Sequence, residues 1–466
     1  MDSAPYRVLL VLLLVATAAL SSAQQPHTLK YAPGKSITLA LPDAFDINIA
    51  ATGLKRVRFF AKAPDGRIFV TGMHNLNDNR LGSVLILDGW DENTRKFTKI
   101  THYLDHLRNP NNLAFWTDPA TKQSWLYLPL TDRLVRYKFS AGDTAPASPP
   151  ETLIKFPDYG LHYKYGGWHL TRTVALVDVN GAPRIFVSVG SSCNYCQEDE
   201  VLRASVVSMD PDGSHPKIEA QGLRNAVDLK QVPGLDGGAV FATNMGDDHL
   251  GDKLPEDTFF ELAISAGPAP NYGWPTCYFM NGKPVHDQTT LPSINEAREF
   301  GLTAEKPKES SVYGRQKGVA DAGTNLGAGG GHEHEPDPNA TLGKAPAALQ
   351  SCEKVPPAFA SFAAHSSPLG FAYFGTHDSN LAGSFLVALH GASNPRIGTG
   401  YKVVRFTPSD RKPRDFITGF LTSVNGKPVV HGRPCGILRL DNDSFLLSDD
   451  YLGVIYYVKS RPQTHP

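Results

Sequence analysis

The sequence has no excess of charge of either sign. Its 45 lysines and arginines nearly balance 46 aspartates and glutamates, which gives a net charge of -1 at pH 7. A chain without a basic field lacks the electrostatic footprint of a nucleic-acid-binding protein, so we expect no nucleic-acid partner. Scattered basic residues could still bind a small anion in a pocket.

Long hydrophobic runs are also absent, with one exception near the N-terminus. The run VLLVLLLVATAAL follows Arg7 and is followed by Ser21, Ser22 and Ala23. This pattern predicts a secretory signal peptide at residues 1–23, cleaved after Ala23, and a secreted or periplasmic protein. The alternative is an uncleaved anchor, although the run is short for a spanning helix. We expect no membrane span in the mature chain, residues 24–466.

Cysteines are few, and their number is odd, at five. An exported chain can keep disulfides, and the CxxC of Cys193 and Cys196 fits a short-loop disulfide. A zinc site is a weaker interpretation because no second CxxC follows, and a redox-active CxxC would usually open a helix. We pair Cys277 with Cys352, because both flank the same insertion. Cys435 is predicted to be a buried small hydrophobe.

Long helical periodicities are missing as well, and strand signals take their place. Six similar segments join a turn to a short apolar strand. They are PDGRIFVTG from Pro64, SWLYLPL from Ser124, VNGAPRIFVSVG from Val179, LDGGAVFATN from Leu235, LAGSFLVALHG from Leu381 and LDNDSFLLSDD from Leu440. Four of their five spacings are about 55 to 60 residues. Units of this size have room for four strands each, so we predict an all-β fold, a six-bladed β-propeller.

The remaining spacing, of about 145 residues between the fourth and fifth segments, contains a long irregular insertion. Glycine, proline, alanine and charged residues dominate residues 285–350, so a packed core is not expected there. His332 and His334 in GHEHE could bind a metal weakly, although a solvated loop is the simpler interpretation.

Polar residues flank the apolar strands of several repeats, where the loops of a propeller meet at one end of the channel. Arginines from several repeats suit a ligand with several carboxylates, because each guanidinium can pair with a carboxylate through two hydrogen bonds. The acidic loop NMGDDHLGD suits Ca2+, which takes carboxylate and backbone oxygens. His169 in GGWHLTR is, taken alone, most simply a core histidine with satisfied hydrogen bonds; the alternative is a catalytic base.

Several motifs occur in the order found in a known family. GGWHLTRTVAL, SVGSSCNYCQE, GLRNAVDL, NYGWPTCY, AAHSSPLGF and GRPCGIL resemble segments of the glucose/sorbosone dehydrogenases. These are soluble quinoproteins that use pyrroloquinoline quinone, and the fungal pyranose dehydrogenases look like a related branch. The resemblance runs from about residue 40 to the C-terminus, apart from the insertion.

The resemblance implies a six-bladed propeller that oxidises a sugar by hydride transfer to the quinone, with Ca2+ bound beside it. His169 matches the general base. The expected cofactor-binding residues are Arg58, Arg224, Asn225, His365, Asn394, Arg396 and Arg433, and the expected Ca2+ ligands are Asn244, Asp247 and Asp248. The substrate would be an aldose, a pyranose or an osone, and an external electron acceptor such as a cytochrome would be needed.

Two other functions fit a propeller of this kind. One is a Ca2+-dependent hydrolase of the lactonase type, which needs metal carboxylates from several blades, whereas the acidic residues here cluster in one loop. The other is a propeller that binds a ligand or partner without turnover.

Overall fold

Strands make up nearly all of the regular structure. The structure is a computed structural model, and it describes residues 24–157, 169–235, 237–264, 267–293, 342–377 and 379–461. The first ten strands are β1 Gln24–Ala32, β2 Lys35–Pro42, β3 Phe45–Ala51, β4 Val57–Lys62, β5 Ile68–Gly72, β6 Gly82–Asp91, β7 Lys96–Leu107, β8 Ala114–Thr117, β9 Ser124–Pro129 and β10 Arg133–Phe139. The next ten are β11 Glu151–Lys155, β12 Arg172–Val179, β13 Ala182–Val189, β14 Ser205–Met209, β15 Lys217–Gln221, β16 Ala226–Gln231, β17 Val240–Asn244, β18 Asp257–Leu262, β19 Cys277–Met280 and β20 Lys283–His286. The last ten are β21 Ala360–Phe362, β22 Pro368–Phe374, β23 Ser384–Leu389, β24 Lys402–Phe406, β25 Arg414–Ile417, β26 Leu421–Val424, β27 Lys427–Val430, β28 Pro434–Arg439, β29 Ser444–Asp449 and β30 Val454–Ser460.

Six four-stranded antiparallel sheets form the blades of a propeller. Blades 1 to 3 are β4–β7, β8–β11 and β12–β15, and blade 5 is β22–β25. Blade 4 consists of β16, β17, β18 and β21, and blade 6 consists of β28, β29, β30 and β3. The first strands of successive blades contact one another around the ring. The predicted all-β, six-bladed fold is confirmed.

The apolar runs of the sequence are the second strands of the six blades: β5, β9, β13, β17, β23 and β29. Every residue of β17, β23 and β29 is buried. A second strand has a hydrogen-bonded neighbour on each side and a blade against each face, so both of its faces become apolar. This position in the blade explains why these strands gave the clearest signal in the sequence.

Buried aromatic residues fill the space between blades. Phe241 and Phe259 of blade 4 pack with Phe371 and Phe385 of blade 5, and the Phe259 and Phe371 ring centroids lie 5.0 Å apart in an edge-to-face arrangement. Burying each such side chain stabilises the fold by about 1.5–3 kcal/mol. The interfaces between blades therefore carry the core of the molecule.

An apolar cluster joins the first strands of four blades. Phe59, Val227, Leu369 and Cys435, from the first strands of blades 1, 4, 5 and 6, form one buried cluster, and Met245 packs against it. Gly436 allows these strands to approach closely, because a Cβ there would lie 2.4 Å from the Arg58 carbonyl oxygen. Cys435 is the free, buried cysteine that the sequence predicted.

The long spacing in the sequence is an excursion between the third and fourth strands of blade 4. β18 pairs with β21, and the chain between them leaves the sheet to form the β19–β20 hairpin. The predicted disulfides Cys277–Cys352 and Cys193–Cys196 are both present. Residues 294–341 of the insertion, with His332 and His334, and the predicted signal peptide lie outside the described residues.

In the part of the chain that the structure describes, there is no helix with the length and hydrophobicity needed to cross a membrane.

Candidate functional site

The predicted site residues lie at the end of the propeller where the first strand of each blade begins. His169 precedes β12, Arg224 and Asn225 precede β16, and His365 precedes β22. The second strands end at the same side, so the loop after β17 brings Asp247 and Asp248 to this end as well. Antiparallel pairing of the first and second strands thus places residues from distant parts of the sequence together.

His169 is held by the loop after β13. Its Nδ1 lies 3.0 Å from both the carbonyl oxygen and the Oγ of Ser191. Since the Ser191 hydroxyl donates to the Cys193 carbonyl at 2.6 Å, both Ser191 oxygens act as acceptors toward the imidazole. Nδ1 therefore carries the proton, and Nε2 carries the lone pair. In this tautomer Nε2 is the nitrogen that can accept a proton.

The charge state of His169 follows from its surroundings. Burial lowers the pKa of His169 well below its ordinary value of 6.5, and the positive charges of Arg224, Arg172 and Arg203 lower it further, against the hydrogen bond to Ser191. Its backbone is in the left-handed region, with φ of 49°, a conformation that costs energy for any residue other than glycine. The side chain is thus held as a neutral imidazole near pH 7.

Asn225 approaches His169 across Gly190. A Cβ at Gly190 would lie 2.5 Å from the His169 Cβ and 2.7 Å from the Asn225 Oδ1, so only glycine fits between them. The Asn225 backbone N–H donates to the Asn244 Oδ1 at 3.0 Å. Its own Oδ1 is buried and has no hydrogen-bond partner among the described residues. An unsatisfied buried acceptor is costly, and it marks a position where a ligand donor would be accommodated.

Arg224 is buried and makes three hydrogen bonds to protein oxygens. Nε donates to the Asn194 carbonyl at 2.9 Å, Nη2 to the Asn194 Oδ1 at 2.7 Å, and Nη1 to the Gly246 carbonyl at 2.6 Å. The Asp248 carboxylate lies 3.6 Å from Nη2. A guanidinium has five N–H donors, so two remain for a ligand.

The predicted Ca2+ loop contains three different environments. Asn244 is used within the blade, since its Oδ1 accepts from Asn225 and its Nδ2 donates to the Thr258 hydroxyl at 3.2 Å. Asp247 is buried, with its Oδ1 2.6 Å from the Nδ1 of His249. Asp248 is the exposed one, with 56% of its side chain accessible.

His365 faces the same loop from blade 5. Its Nδ1 lies 2.9 Å from the Asp248 Oδ1, and its Nε2 lies 2.9 Å from the Gly251 carbonyl. Burial alone would lower the pKa of His365, but these two oxygen partners raise it overall. The structure therefore brings His169, Arg224, Asn225, Asp248 and His365 into one cluster, to which blades 3, 4 and 5 contribute.

Arg58 and Arg433 belong to a second, buried cluster at the same end. The Arg58 Nη1 pairs with the Asp450 carboxylate at 3.0 Å, and its Nε and Nη2 donate to the Asn111 Oδ1. Arg433 donates to the Gly391 and Ala392 carbonyls at 2.9 and 3.0 Å. Arg58 thus has three of its five donors engaged, as Arg224 has, and the role of Arg58 and Arg433 as cofactor contacts stays a prediction.

His390 and Asp450 complete this second cluster. The His390 Nε2 donates to the Asp450 Oδ1 at 2.8 Å, and its Nδ1 faces the Arg433 Nη1 at 3.5 Å. Burial lowers the pKa of His390 to about 4, so the imidazole is neutral. Burial would raise the pKa of Asp450, but His390, Arg58 and Arg56 hold it below its usual range.

Asn394 and Arg396 lie in the loop between β23 and β24, and both are exposed. The Asn394 Oδ1 accepts from the Arg396 backbone N–H at 3.1 Å, which closes a local turn. These two residues are at the correct end of the propeller, but the described contacts do not join them to His169.

Three residues that matter here had no clear signal in the sequence. Asp450 follows the apolar strand of blade 6 in the run SDD, and Ser191 and Asn194 belong to SSCNYC. A carboxylate or amide in such a run resembles an ordinary loop residue. Its importance depends on an arginine or histidine from a different blade.

The residues fit a planar polyanionic cofactor better than a cage for Ca2+. A cofactor with several carboxylates could use the two remaining Arg224 donors, and the unsatisfied Asn225 Oδ1 could accept from a donor on such a molecule. Ca2+ takes six to eight oxygen ligands. Of its three predicted ligands, only Asp248 has a carboxylate exposed for binding.

No protein-family model and no curated protein sequence matches the chain. The fold nevertheless matches solved structures over nearly its whole length. The PQQ domain of pyranose dehydrogenase from Coprinopsis cinerea, in holo form, has a TM-score of 0.58 and 16% identity, over 91% of this chain and 97% of that chain. A Carbohydrate-Active Enzymes family AA12 protein of Trichoderma reesei, in a calcium structure, has a TM-score of 0.58 and 15% identity with the same coverage.

A bacterial structure extends the comparison. The soluble aldose sugar dehydrogenase of Escherichia coli, in apo form, has a TM-score of 0.50 and 11% identity, over 90% of this chain and 100% of that chain. At such identities the similarity shows a common fold. The predicted resemblance to the sugar dehydrogenases is confirmed at that level.

Proposed function

We propose that the protein is a sugar dehydrogenase that binds pyrroloquinoline quinone at this end of the propeller and uses His169 as its general base. The observation that carries the proposal is the state of His169, a neutral imidazole with its lone pair on Nε2. The fold shared with proteins named as sugar dehydrogenases supports it.

The binding roles follow from the unused polar capacity of the site. Arg224 and Asn225 would hold the cofactor, the first through its two remaining donors and the second through its unsatisfied Oδ1. His365 would support the Asp248 side of the site through its contacts with the Asp248 carboxylate and the Gly251 carbonyl. When bound, the quinone supplies the hydride acceptor for the sugar carbon.

His169 would take the hydroxyl proton of the sugar on Nε2 while the carbon loses a hydride. Ser191 keeps the imidazole oriented, because its two oxygens accept from Nδ1. Positioned proton transfer of this kind contributes a factor of about 10²–10⁴ to the rate.

Ca2+ would be held in part by Asp248, where its charge would polarise an acceptor carbonyl. Asn244 and Asp247, which complete the predicted set, face partners within the protein and would have to change those contacts to bind the ion. Removing Ca2+ with a chelator therefore tests whether the activity depends on this ion.

The proposal also covers the substrates, the electron acceptor and the compartment of the enzyme. Aldoses, pyranoses and osones are the proposed substrates, and an external electron acceptor, such as a cytochrome, would complete the turnover. Two disulfides are consistent with an exported protein, because they persist in oxidising compartments.

The decisive experiment measures dye reduction by the purified protein loaded with the quinone and Ca2+, on a panel of aldoses, pyranoses and osones. We expect sugar-dependent dye reduction, loss of the rate with a chelator, and a fall of at least about a hundredfold in His169→Ala. His215→Ala is the matched control, because His215 has 81% of its side chain exposed and pairs with Asp210.

Other outcomes would contradict the proposal or favour one of the two alternative functions. A His169→Ala rate within about threefold of wild type would refute the base assignment. Lactone cleavage without quinone would favour the hydrolase, and ligand binding without either activity would favour a propeller that does not catalyse.

A further inference from the structure

The loop between β13 and β14 contacts three separate parts of the candidate site. Ser191 binds the His169 imidazole, Asn194 binds Arg224, and the Tyr195 ring stacks on His249 with centroids 3.9 Å apart. The disulfide Cys193–Cys196 closes a small ring in the middle of this loop. We call residues 191–198 the disulfide loop.

Asn194 joins the disulfide loop to Arg224 and to the loop after β17. Its Oδ1 accepts from the Arg224 Nη2 at 2.7 Å and from the Asp248 backbone N–H at 3.0 Å. Its carbonyl accepts from the Arg224 Nε at 2.9 Å. Two hydrogen bonds from one residue to one guanidinium fix both its position and its plane.

The disulfide fixes Asn194 in turn. Cys193 and Cys196 are buried, at 3% and 0% exposure, and pack against Trp274 and Ala204. The Trp274 indole N–H reaches the Asn194 carbonyl at 3.4 Å. A short covalent ring on a buried base leaves the backbone of the enclosed residues little freedom.

The base of the disulfide loop is also tied down. The buried Glu198 carboxylate accepts from the backbone N–H and the hydroxyl of Ser192, both at 2.6 Å. Ser192 directly follows Ser191, which orients His169. The same loop therefore sets the imidazole on one side and the guanidinium on the other.

We propose that Asn194 is a positioning residue that holds Arg224 and the Asp248 loop in register with His169, and that the Cys193–Cys196 ring holds Asn194 in place. The effect of Asn194 on cofactor binding and turnover rests on the proposed function. Its effect on the position of the Arg224 guanidinium is independent of that function.

Without the Asn194 Oδ1, the Arg224 guanidinium would keep two of its three hydrogen-bonded oxygens, the carbonyls of Asn194 and Gly246. The exposed Asp248 carboxylate, 3.6 Å away, would then draw it outward. Arg224 supplies part of the positive field that keeps His169 neutral, so its displacement would raise the pKa of His169. Arg172 and Arg203 would remain and would limit the change.

The test compares Asn194→Ala with wild type in three measurements. Titration of the His169 ring by NMR on the histidine-labelled apoprotein, assigned with His169→Ala, should show a raised pKa. Binding of pyrroloquinoline quinone, followed by absorbance, should weaken about tenfold, as expected for loss of a hydrogen bond to a charged group. The thermal midpoint should move little.

Asn442→Ala is the matched control, because the Asn442 Oδ1 also accepts from an arginine, Arg439, but in the turn between β28 and β29. It should leave all three measurements unchanged. The double variant Cys193→Ser/Cys196→Ser should reproduce the effects of Asn194→Ala on the pKa of His169 and on the quinone affinity, with a lower thermal midpoint because a disulfide is lost. If Asn194→Ala does not fold, the double variant carries the test. Cys277→Ser/Cys352→Ser is the control for the double variant, since that disulfide joins β19 to the segment before β21 and lies outside the disulfide loop.

The outcomes separate this inference from the proposed function. If wild type binds no quinone and oxidises no sugar, the proposed function fails, while the His169 titration still reports on Asn194. The positioning role is wrong if Asn194→Ala and the disulfide variant both leave the pKa of His169 unchanged and the quinone affinity within twofold of wild type.

Discussion

At the scale of the residue, the site depends on how buried charges are paired. Asp450 has no exposed side-chain surface and receives hydrogen bonds from Arg56, Arg58 and His390. A buried ion pair is weak evidence for stability in itself, but the loss of one partner leaves an uncompensated charge. Asp450 is therefore the residue on which the second cluster depends.

We expect Asp450→Asn to lower the free energy of unfolding by about 3–5 kcal/mol, because Arg58 would stay buried without its counter-charge. Chemical denaturation followed by fluorescence measures this quantity. Asp415→Asn serves as the control, since Asp415 is 52% exposed and its pair with Lys402 lies on the surface, where such pairs contribute little. Equal losses in the two variants would contradict the argument.

The pH dependence of catalysis follows from His169. The base works as a neutral imidazole, and the pKa of His169 is held well below 6.5, mainly by burial. Lowering the pH from 7.5 to 6.5 should therefore not reduce kcat/KM, and the acid limb should appear only at lower pH. A pH profile of sugar-dependent dye reduction tests this, and a limb at or above pH 6.5 would show that the imidazole is not shielded as described.

At the scale of the element, the sequence predicted best what local burial dictates. All six apolar runs were found as second strands, because a strand covered on both faces must be apolar along its whole length. The outer strands gave weaker signals, since one side is partly exposed, as in β7, where only Tyr103 and Leu107 are buried.

Which donors remain available to a ligand could not be predicted in this way. Arg58 and Arg224 look alike in the sequence, each an arginine at the start of a first strand. Arg58 meets Asp450 from 392 positions away, and Arg224 meets Asn194 from 30 positions away. Those encounters depend on the closure of the ring and on the disulfide loop, which no local pattern reports.

At the scale of the whole molecule, the ring is closed by strands from the two ends of the described chain. β3 pairs with β30 along the outer edge of blade 6, from Phe45 opposite Ser460 to Ala51 opposite Ile455. This closure removes two free sheet edges at once. It also brings Arg56 and Arg58, just after β3, against Asp450, just before β30, so that closure and site are coupled.

A substitution at Phe45 in β3 can test whether closure of the ring and the site are coupled. It is 1% exposed and packs edge-to-face on Phe416 of blade 5, with ring centroids 5.0 Å apart. We expect Phe45→Ala to lower the free energy of unfolding by about 3–5 kcal/mol, the usual loss for a buried phenylalanine, in one transition seen alike by fluorescence and circular dichroism. Asn48→Ala, on the partly exposed face of the same strand, should cost much less. If Phe45→Ala instead released β3 while the main transition stayed in place, closure would be a local event, and the Arg58–Asp450 pair would form without it.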